Sequence, residues 1–308
     1  MSVALEELRR GGKGALARAL ARAEAAPDDE TTLALLDAAW SAPRAHVIGL
    51  TGPPGVGKST LASALIRGWR QRGRTVGVIA VDPSSRRTKG ALLGDRTRID
   101  VDPDDAGVFV RSMAARERLG GLADLCAAAM VLMRALYDVV LVETVGVGQS
   151  ETEVADLADT VVFAVQPGSG DSLQFMKAGI VEIPDIAIVT KADLGGIADR
   201  ARRDLEGVLG LVPGSGAWQT PVLLVAATRG EGTDGALDAL DRHAAMLHPE
   251  REARRAEQAR HWLERWLHEE CGRRGAARAQ AALPTILADR SASPFRWLSR
   301  ALAAAAPG

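Results

Sequence analysis

From residue 45 onward, short apolar runs alternate with longer amphipathic stretches. The runs are rich in β-branched residues and are bounded by turn-forming residues, as expected of buried strands. They comprise His46–Leu50, Val76–Val81, Val139–Glu143, Val161–Val165, Ile186–Thr190 and Val222–Val225. The helical stretches among them cover residues 60–71, 119–136, 151–158, 172–181, 196–209 and 233–247. Repeated β–α units of this length predict an α/β fold with a mostly parallel, doubly wound sheet.

Both ends of the chain lack this strand pattern. Residues 3–40 carry two apolar stripes at helical spacing, separated by Pro27-Asp28-Asp29, which predicts two helices. Residues 250–272 predict a strongly charged helix, which is followed by a short helix and by a terminal helix over Pro294–Ala305. We therefore predict three segments: an N-terminal helical arm over 1–42, an α/β domain over 43–248 and a C-terminal helical segment over 249–308.

The C-terminal segment is notable for its tryptophans. Trp262 and Trp266 lie on one face of the charged helix and Trp297 lies in the terminal helix, although aromatic residues make up only 4% of the chain. Packing in the interior of the chain would account for them. A subunit interface would also account for them, because aromatic residues are enriched in interface cores.

Composition argues against several classes of function. The 38 basic and 39 acidic residues leave a formal net charge of −1, so no global field would recruit nucleic acid or an anionic membrane. No apolar run reaches the roughly 18 residues that a membrane-spanning helix needs. The charged N-terminus does not resemble a secretory signal, and the patterns around Cys126 and Cys271 favour packing over a disulfide. We expect a cytoplasmic protein with no nucleic acid or membrane partner.

The clearest motif follows the first predicted strand. Residues 52–59 fit G-x-x-x-x-G-K-[ST] at every fixed position, between a strand and a helix as a phosphate-binding loop requires. Glycines let successive backbone N–H groups converge on a phosphate, and the helix N-terminus adds its positive dipole end. Lys58 should contact the β- and γ-phosphates, and the Ser59 hydroxyl should bind Mg²⁺. The predicted nucleotide-binding residues here are Gly52, Pro53, Pro54, Gly55, Val56, Gly57, Lys58, Ser59 and Thr60.

Acidic residues follow two neighbouring strand patterns. Glu143 closes the strand over Val139–Glu143, where a carboxylate can serve the Mg²⁺ site of a phosphate loop. Gly146, three residues later, can give its backbone N–H to a γ-phosphate and so sense its loss. Asp82 ends the strand over Val76–Val81 and is a second candidate metal ligand, and Asp95 is a third on weaker local evidence.

The nucleotide base is predicted from a second motif. Thr190-Lys191-Ala192-Asp193 closes the strand over Ile186–Thr190 and matches the [NT]-K-x-D pattern that recognises guanine. Asp193 would accept hydrogen bonds from guanine N1–H and N2, and the Lys191 stem would lie along the base. Adenine would leave Asp193 unpaired, at a cost of about 1–3 kcal/mol. Ala226, Ala227 and Thr228 would form the loop that caps the base, so the predicted nucleotide is GTP.

With these motifs in place, the sequence resembles the MeaB family of P-loop GTPases, which serve cobalamin-dependent acyl-CoA mutases. The run Glu143-Thr144-Val145-Gly146-Val147-Gly148-Gln149-Ser150-Glu151 is especially typical of that family. The resemblance spans roughly residues 45–195. It rests on Gly49–Ser59, Ala80–Ser85, Leu92–Arg98, Leu141–Glu151, Gly170–Gln174, Lys177–Ile180 and Lys191–Asp193.

The resemblance implies a GTPase that acts as a chaperone for an adenosylcobalamin-dependent acyl-CoA mutase, methylmalonyl-CoA mutase above all. It implies that Gln174 and Lys177 lie on a loop that couples nucleotide state to the mutase, and that the C-terminal helices form a homodimer contact. Thr190 departs from the asparagine usual in the family. The Mg²⁺ site would comprise Ser59, Asp82, Asp95 and Glu143, and the candidate catalytic residues are Lys58, Asp95, Glu143, Gly146 and Lys177.

Two other activities remain open from the sequence. A kinase would transfer the γ-phosphate to a small molecule or a protein, although the guanine motif and the lack of an identifiable acceptor-activating base argue against it. A metal-insertion GTPase for nickel or zinc would need a site rich in histidine or cysteine. The five histidines are scattered and the two cysteines are far apart in sequence, so a metal store is not expected.

Overall fold

The computed structural model describes residues 3–83, 99–115, 124–144, 154–168, 184–210 and 218–306. The chain divides into two compact units. The sheet unit comprises His46–Ala115 and Asp138–Arg251, and the helical unit comprises Met1–Ala45, Arg116–Tyr137 and Glu252–Gly308. The predicted segment boundaries at residues 42 and 248 stay a prediction.

The strands of the sheet unit form one parallel sheet of seven, in the order β3-β2-β4-β1-β5-β6-β7. Their bounds are β1 (His46–Thr51), β2 (Val76–Pro83), β3 (Val108–Ala115), β4 (Val139–Glu143), β5 (Thr160–Val165), β6 (Ile186–Thr190) and β7 (Val222–Val225). This confirms the predicted α/β fold. The chain fills the sheet outward from β1 in both directions, so the carboxyl end of β1 is the switch point at which such sheets bind ligands.

The helices of the described residues are distributed over both units. In chain order they are α1 (Val3–Arg10), α2 (Gly12–Ala25), α3 (Glu30–Trp40), α4 (Lys58–Gln71), α5 (Asp124–Leu136), α6 (Gly196–Leu209), α7 (Thr233–Leu247), α8 (Arg251–Ala279), α9 (Leu283–Ala288) and α10 (Pro294–Ala305). Helices α4, α6 and α7 belong to the sheet unit. Helix α5 follows β3 in the chain but belongs to the helical unit.

The core of the sheet unit explains why its strands are almost uninterrupted runs of aliphatic residues. Strands β1, β4, β5 and β6 are buried at every position, which requires apolar side chains on both faces. Helix α4 adds Leu61, Leu65 and Trp69 to this core, and α7 adds Leu237 and Leu240. Each of these side chains contributes roughly 1.5–3 kcal/mol by leaving water.

The sequence analysis missed one strand. Strand β3 lies at the edge of the sheet and pairs only with β2, from Val76↔Val108 to Pro83↔Ala115. Its sequence begins with the apolar run Val108-Phe109-Val110 but continues with Arg111 and Ser112, which breaks the pattern of a buried strand. An edge strand tolerates this because one of its sides has no neighbouring strand.

One helix prediction needs correction. Within the predicted helix over 151–158, the described residues form a single 3₁₀ turn at Val154–Asp156. The chain then turns into β5, because Asp159 exchanges hydrogen bonds with the backbone of Val47. The predicted helix over 172–181 lies outside the described residues, as do residues 116–123 at the start of the helix predicted over 119–136.

The N-terminal arm holds three helices rather than the two predicted. Helices α1 and α2 are separated at Gly11-Gly12, where Gly12 adopts a φ of +58°. The continuous apolar stripe concealed this break. Helix α8 extends beyond the predicted charged helix, and its one non-helical residue is Gly272, with φ 61° and ψ −178°.

The tryptophans pack inside the helical unit. Trp262, Trp266 and Trp297 are each 5% exposed or less. Trp40 contacts the rings of Trp262 and Trp297 edge-on, both at 6.4 Å between centroids, and Phe295 stacks on Trp266 at 5.3 Å. Packing within the chain therefore accounts for these aromatics, and the predicted homodimer stays a prediction that they do not support.

Two arginines connect the helices of this unit. Arg296 of α10 donates hydrogen bonds to Asp37 of α3 and, at 2.8 and 2.9 Å, to Glu30. These carboxylates raise the pKa of the Arg296 guanidinium. The guanidinium carbon of Arg134 lies 4.7 Å from the ring centre of Trp40. Charge thus reinforces an aromatic core in the helical unit.

A polar network lies at the amino-terminal ends of the strands, opposite the phosphate loop. The Thr160 hydroxyl lies 2.7 Å from His46 Nε2 and 2.7 Å from His243 Nδ1. His46 Nδ1 lies 3.6 Å from Asp159, and His243 Nε2 lies 3.4 Å from Asp185. All the members except Asp185 are buried, so these hydrogen bonds join β1, β5 and α7 within the interior.

Both cysteines are free thiols, as predicted. Burial raises the pKa of the Cys126 thiol to about 12, so this side chain is a neutral part of the core. Among the described residues, no helix has the length and hydrophobicity needed to cross a membrane.

Candidate functional site

The phosphate loop connects β1 to α4 and begins with a glycine that has no room for a side chain. Gly52 adopts a φ of +143°, and a Cβ atom there would lie 2.1 Å from the carbonyl oxygen of Ala164 in β5. Glycine therefore lets the loop leave β1 in contact with the neighbouring strand. The fold of the loop therefore requires glycine at position 52.

Gly55 and Gly57 have a different role. They adopt φ values of +78° and +94°, and a Cβ atom at either position would meet nothing within 4 Å. Their positive φ values turn the backbone without steric cost, and the space beside them is open. A loop of this form has room for phosphate oxygens where a side chain would otherwise stand, so the residues fit the predicted ligand.

Lys58 crosses the loop from the first turn of α4. Its residue is 7% exposed, and its Nζ donates to the carbonyl oxygens of Gly52 at 2.7 Å and Pro53 at 2.9 Å. The ammonium is therefore held inside the loop, at the N-terminus of a helix. A compact cation at this place suits phosphate oxygens, because the helix N-terminus also favours negative charge.

Ser59 and Glu143 come together from separate elements. The Ser59 hydroxyl donates to Glu143 Oε1 at 2.8 Å, and Glu143 is 7% exposed. The register Leu50↔Glu143 places this acid beside the end of β1, where the loop begins. A hydroxyl and a carboxylate oxygen are ligands that Mg²⁺ prefers, so this pair fits the predicted metal.

The other predicted metal and catalytic residues are described in part or not at all. Asp82 lies near the end of β2, two residues beyond Ala80, which pairs with Glu143. Its backbone therefore lies at the same edge of the sheet. Asp95, Gly146 and Lys177 lie outside the described residues, as does Gln174.

Thr144, directly after Glu143, is anchored to the strand that precedes the loop. Its backbone N–H donates to the Leu50 carbonyl at 3.1 Å, and its hydroxyl donates to Thr51 Oγ1 at 3.1 Å. Thr144 is 1% exposed. This contact fixes the point at which the chain leaves β4, next to Glu143.

Thr190 connects the base-recognition motif to the phosphate loop. Its hydroxyl donates to the Val56 carbonyl at 2.6 Å and lies 3.0 Å from the Val165 carbonyl. Thr190 is 4% exposed and Val56 is 1% exposed. Thr190 thus bonds the phosphate loop through its hydroxyl.

Lys191 follows in an unusual backbone conformation. Among the described residues it is the one non-glycine residue with positive φ, at 53°. Its Nζ lies 2.5 Å from Gln166 Oε1 and 3.4 Å from the Gly55 carbonyl. A left-handed conformation at a residue with a Cβ costs roughly 1–2 kcal/mol and is concentrated at functional sites.

Asp193 stands at the solvent-exposed side of the same loop. One oxygen, Oδ2, lies 3.7 Å from an Arg229 nitrogen. Arg229 follows the predicted capping loop, in which Ala226 is buried and Thr228 is exposed. The loop closes through a bridge between Ala226 and Glu231.

Gln166 and Arg229 contact the base motif and were not predicted. Gln166 is the first residue after β5, and Arg229 lies four residues after β7. The rule that ligands bind at the carboxyl ends of parallel strands points to Gln166 directly. Nothing in the sequence around Arg229 indicates its contact with Asp193.

The structure thus brings together most of the predicted nucleotide site. Hydrogen bonds join the phosphate loop to Glu143, Thr190 and Lys191. Asp193 contacts Arg229 instead. Of the remaining predicted positions, Pro53 is buried, Pro54 and Thr60 are exposed, and Ala227 is half-buried. Within the described ranges, no group of three or more His, Cys, Asp or Glu residues is arranged to hold a metal ion.

Known proteins resemble the chain over most of its length. A protein of Pyrococcus abyssi that is named as a GTPase is 41% identical to this chain over 265 residues, which cover 84% of this chain and 80% of that protein. The mitochondrial methylmalonic aciduria type A homolog of Mus musculus is 37% identical over 222 residues, 70% of this chain and 54% of that protein.

A solved structure extends the likeness to the fold. The crystal structure of a LAO/AO transport system kinase superposes with a TM-score of 0.69 at 28% identity, covering 97% of this chain and 95% of that one. The family model described as methylmalonyl-CoA mutase-associated GTPase MeaB matches residues 16–280. With its phosphate loop at the switch point of a parallel sheet, the chain is a P-loop GTPase and belongs to the MeaB family.

Proposed function

We propose that this GTPase binds GTP with Mg²⁺ at the carboxyl end of β1 and assists an adenosylcobalamin-dependent acyl-CoA mutase. The assistance would consist of cofactor loading, protection or reactivation, and methylmalonyl-CoA mutase is the proposed partner. The main support for GTP binding is the open phosphate loop around the Lys58 ammonium. The description of the matching family, which names a methylmalonyl-CoA mutase, supports the partner.

The phosphate side of the site acts through charge and backbone geometry. The open faces of Gly55 and Gly57 leave room for phosphate oxygens, and Lys58 exchanges its two carbonyl contacts for contacts with the β- and γ-phosphates. Charge that develops on the transferring γ-phosphoryl group is stabilised by such a preorganised cation.

The proposed metal ligands are Ser59, Glu143, Asp82 and Asp95. The contact between Ser59 and Glu143 supports the first two, because it puts two oxygen donors side by side. When bound, Mg²⁺ would offset negative charge on the β- and γ-phosphates. Thr144, anchored to β1, holds Glu143 in register with the phosphate loop.

The base side would select guanine. Asp193 would accept hydrogen bonds from N1–H and N2 of guanine, while the Lys191 stem lies along the ring. Adenine offers no donor at the corresponding positions and leaves the carboxylate unpaired, which costs about 1–3 kcal/mol. Ala226, Ala227 and Thr228 would cap the base.

Coupling to the partner would run through residues outside the described ranges. Gly146 would sense the γ-phosphate, and Lys177 would lie on the loop that transmits nucleotide state to the mutase. No glutamine or arginine of clear catalytic role is identifiable from the sequence. We therefore expect slow intrinsic hydrolysis that the mutase accelerates by supplying or ordering a missing group.

The partner proposal draws on the relatives. The mouse relative carries methylmalonic aciduria in its name, which points to the same metabolic substrate as the family description. A cytoplasmic location and a homodimer formed through the C-terminal helices complete the proposal. The kinase reading has one favourable observation, since the solved structure that resembles the chain is described as a kinase.

The decisive experiment follows the γ-phosphate. GTP labelled at that position is incubated with the pure protein, alone and with each candidate cobalamin-dependent mutase, and the label is separated into inorganic phosphate, protein and small-molecule fractions. ATP serves as the base control. Lys177→Ala tests the coupling loop, and Lys13→Ala is a matched control because it removes a lysine from helix α2.

The proposal predicts that label from GTP appears as inorganic phosphate, that one mutase accelerates its release, and that Lys177→Ala abolishes the acceleration while Lys13→Ala retains it. Equal rates with and without every mutase would reject the chaperone role. Transfer of label to a protein or a small molecule would instead establish the kinase reading.

A further inference from the structure

Lys191 combines a left-handed backbone conformation with two side-chain contacts. With φ 53° and ψ 41° it occupies the region that residues with a Cβ rarely adopt. Its ammonium is held by two acceptors on different elements, Gln166 Oε1 at 2.5 Å and the Gly55 carbonyl at 3.4 Å. The shorter contact belongs to Gln166, at the end of β5.

The chemistry of this acceptor matters as much as the distance. An amide oxygen binds an ammonium strongly through a charge-assisted hydrogen bond but leaves the positive charge in place. A carboxylate at the same position would also accept from the ammonium. The essential property of residue 166 is therefore an acceptor oxygen, which fixes the direction of a side chain whose stem lies against the base in the proposed site.

The contact also connects two parts of the site. Gln166 extends from β5, whereas Gly55 belongs to the phosphate loop, so Lys191 bridges the two through one nitrogen. Thr190 makes a parallel bridge, from the Val56 carbonyl to the Val165 carbonyl. Without Gln166, the lysine would keep only the longer contact, and its four-carbon stem would regain rotational freedom.

We propose that Gln166 is a positioning residue for nucleotide recognition: it holds the Lys191 ammonium so that the lysine stem is ordered along the face of the base before the nucleotide arrives. This inference rests on the proposed guanine-binding function of Lys191 and Asp193. Since a base stacks through its face regardless of its edge groups, Gln166 contributes to affinity for any purine nucleotide that Asp193 accepts. Asp193 alone selects among bases.

The test compares Gln166→Leu, which keeps the size but removes the acceptor, with Gln166→Glu, which keeps an acceptor. Calorimetry measures binding of GDP, IDP and inorganic tripolyphosphate. Gln166→Leu should lower the affinities for GDP and IDP by the same factor, about 5- to 20-fold, as expected for the loss of one partly exposed charge-assisted hydrogen bond. Tripolyphosphate, which has no base, should bind unchanged, and Gln166→Glu should recover most of the loss.

A double-mutant cycle shows whether Gln166 acts through the lysine. Lys191→Met keeps the apolar stem and removes the ammonium. In that background, Gln166→Leu should change GDP affinity by less than about twofold if the two residues act as a unit. In steady state, Gln166→Leu should raise KM for GTP with kcat nearly unchanged, because the base is bound equally in the ground and transition states.

Three results would overturn the inference: unchanged GDP affinity in Gln166→Leu, a full effect in the Lys191→Met background, or equal loss of tripolyphosphate binding. Asp193→Asn separates this outcome from failure of the proposed function. Its amide can donate to the 2-oxo group of xanthine, so preference should shift from GDP to XDP. If Asp193→Asn shifts the preference to XDP but Gln166→Leu has no effect, only the role proposed for Gln166 is wrong. If Asp193→Asn does not shift the preference, the proposed guanine site itself is wrong.

Discussion

The phosphate side and the base side of the candidate site are built in opposite ways. The phosphate side is backbone in positive-φ conformations wrapped around the buried Lys58 ammonium. The base side consists of side chains from separate strand ends, among which Lys191 and Asp193 are exposed. A backbone cradle depends on glycines and tolerates few changes, whereas a set of exposed side chains can be altered one at a time.

The difference predicts where a single substitution is most damaging. Lys58→Met removes the buried cation and leaves the carbonyls of Gly52 and Pro53 without their donor. GTP hydrolysis should fall by at least about 100-fold, as when a preorganised group that stabilises transition-state charge is deleted. Release of phosphate measures the rate, and Lys13→Met is the matched control. A variant with near-normal turnover would show that the loop does not act through this lysine.

A pair of glycine substitutions separates folding from binding within the phosphate side. In Gly52→Ala the new Cβ would meet the Ala164 carbonyl at 2.1 Å, so we expect a loss of about 2–4 kcal/mol in the free energy of unfolding. Gly57→Ala has open space and should lose only roughly 1–2 kcal/mol from its positive φ, yet should bind GDP more than about tenfold more weakly.

Urea unfolding and calorimetry with GDP check both variants of this pair. If Gly57→Ala binds GDP normally, the open face beside it is not where the phosphates lie. If Gly52→Ala is as stable as the parent, the contact with β5 does not constrain the loop.

Thr190 lies between the two sides and should affect stability more than selectivity. Thr190→Val keeps the shape but deprives the Val56 and Val165 carbonyls of a hydroxyl donor. A loss of roughly 1–3 kcal/mol in the free energy of unfolding is expected, with the ratio of GDP to XDP affinity unchanged. Thr190→Ser, which retains the hydroxyl, is the control. A changed ratio of GDP to XDP affinity in Thr190→Val would mean that Thr190 also recognises the base.

Arg229 should give the smallest effect. Its nitrogen lies 3.7 Å from Asp193, and both side chains are partly exposed, so the ion pair contributes little. Arg229→Ala should change GDP affinity by less than about threefold in calorimetry at physiological salt. A change above about tenfold would show that Arg229 contacts the nucleotide itself and would enlarge the base side.

The same contrast between the phosphate side and the base side explains which parts of the site could be predicted from the sequence. Residues 52–59 form a contiguous motif whose spacing carries its own geometry, so the phosphate loop and its helix were predictable residue by residue. The central strands were equally clear, because burial on both faces demands continuous aliphatic runs. Lys191 was recognisable from its tetrapeptide. The strand-end rule places Gln166 near the site, but its contact with Lys191 was not predictable, since the two residues are 25 positions apart in the chain.

Elements at the margins escaped prediction for physical reasons. Strand β3 pairs on one side only, so Arg111 and Ser112 are tolerated and the hydrophobic signal is weak. The break at Gly11-Gly12 falls inside an apolar stripe that continues on both sides. The turn at Val154–Asp156 ends before the predicted residue 158 because Asp159 forms hydrogen bonds with the backbone of β1. No local sequence pattern indicates this contact.

The network around Thr160 has a consequence for the tautomers of its two histidines. The Thr160 hydroxyl has one proton and two lone pairs, and it lies 2.7 Å from a ring nitrogen of each histidine. It can donate to only one of these nitrogens, so at least one of the two, His46 Nε2 or His243 Nδ1, must itself carry a proton. The tautomer of one histidine is therefore tied to that of the other through a single hydroxyl in the interior of the sheet unit.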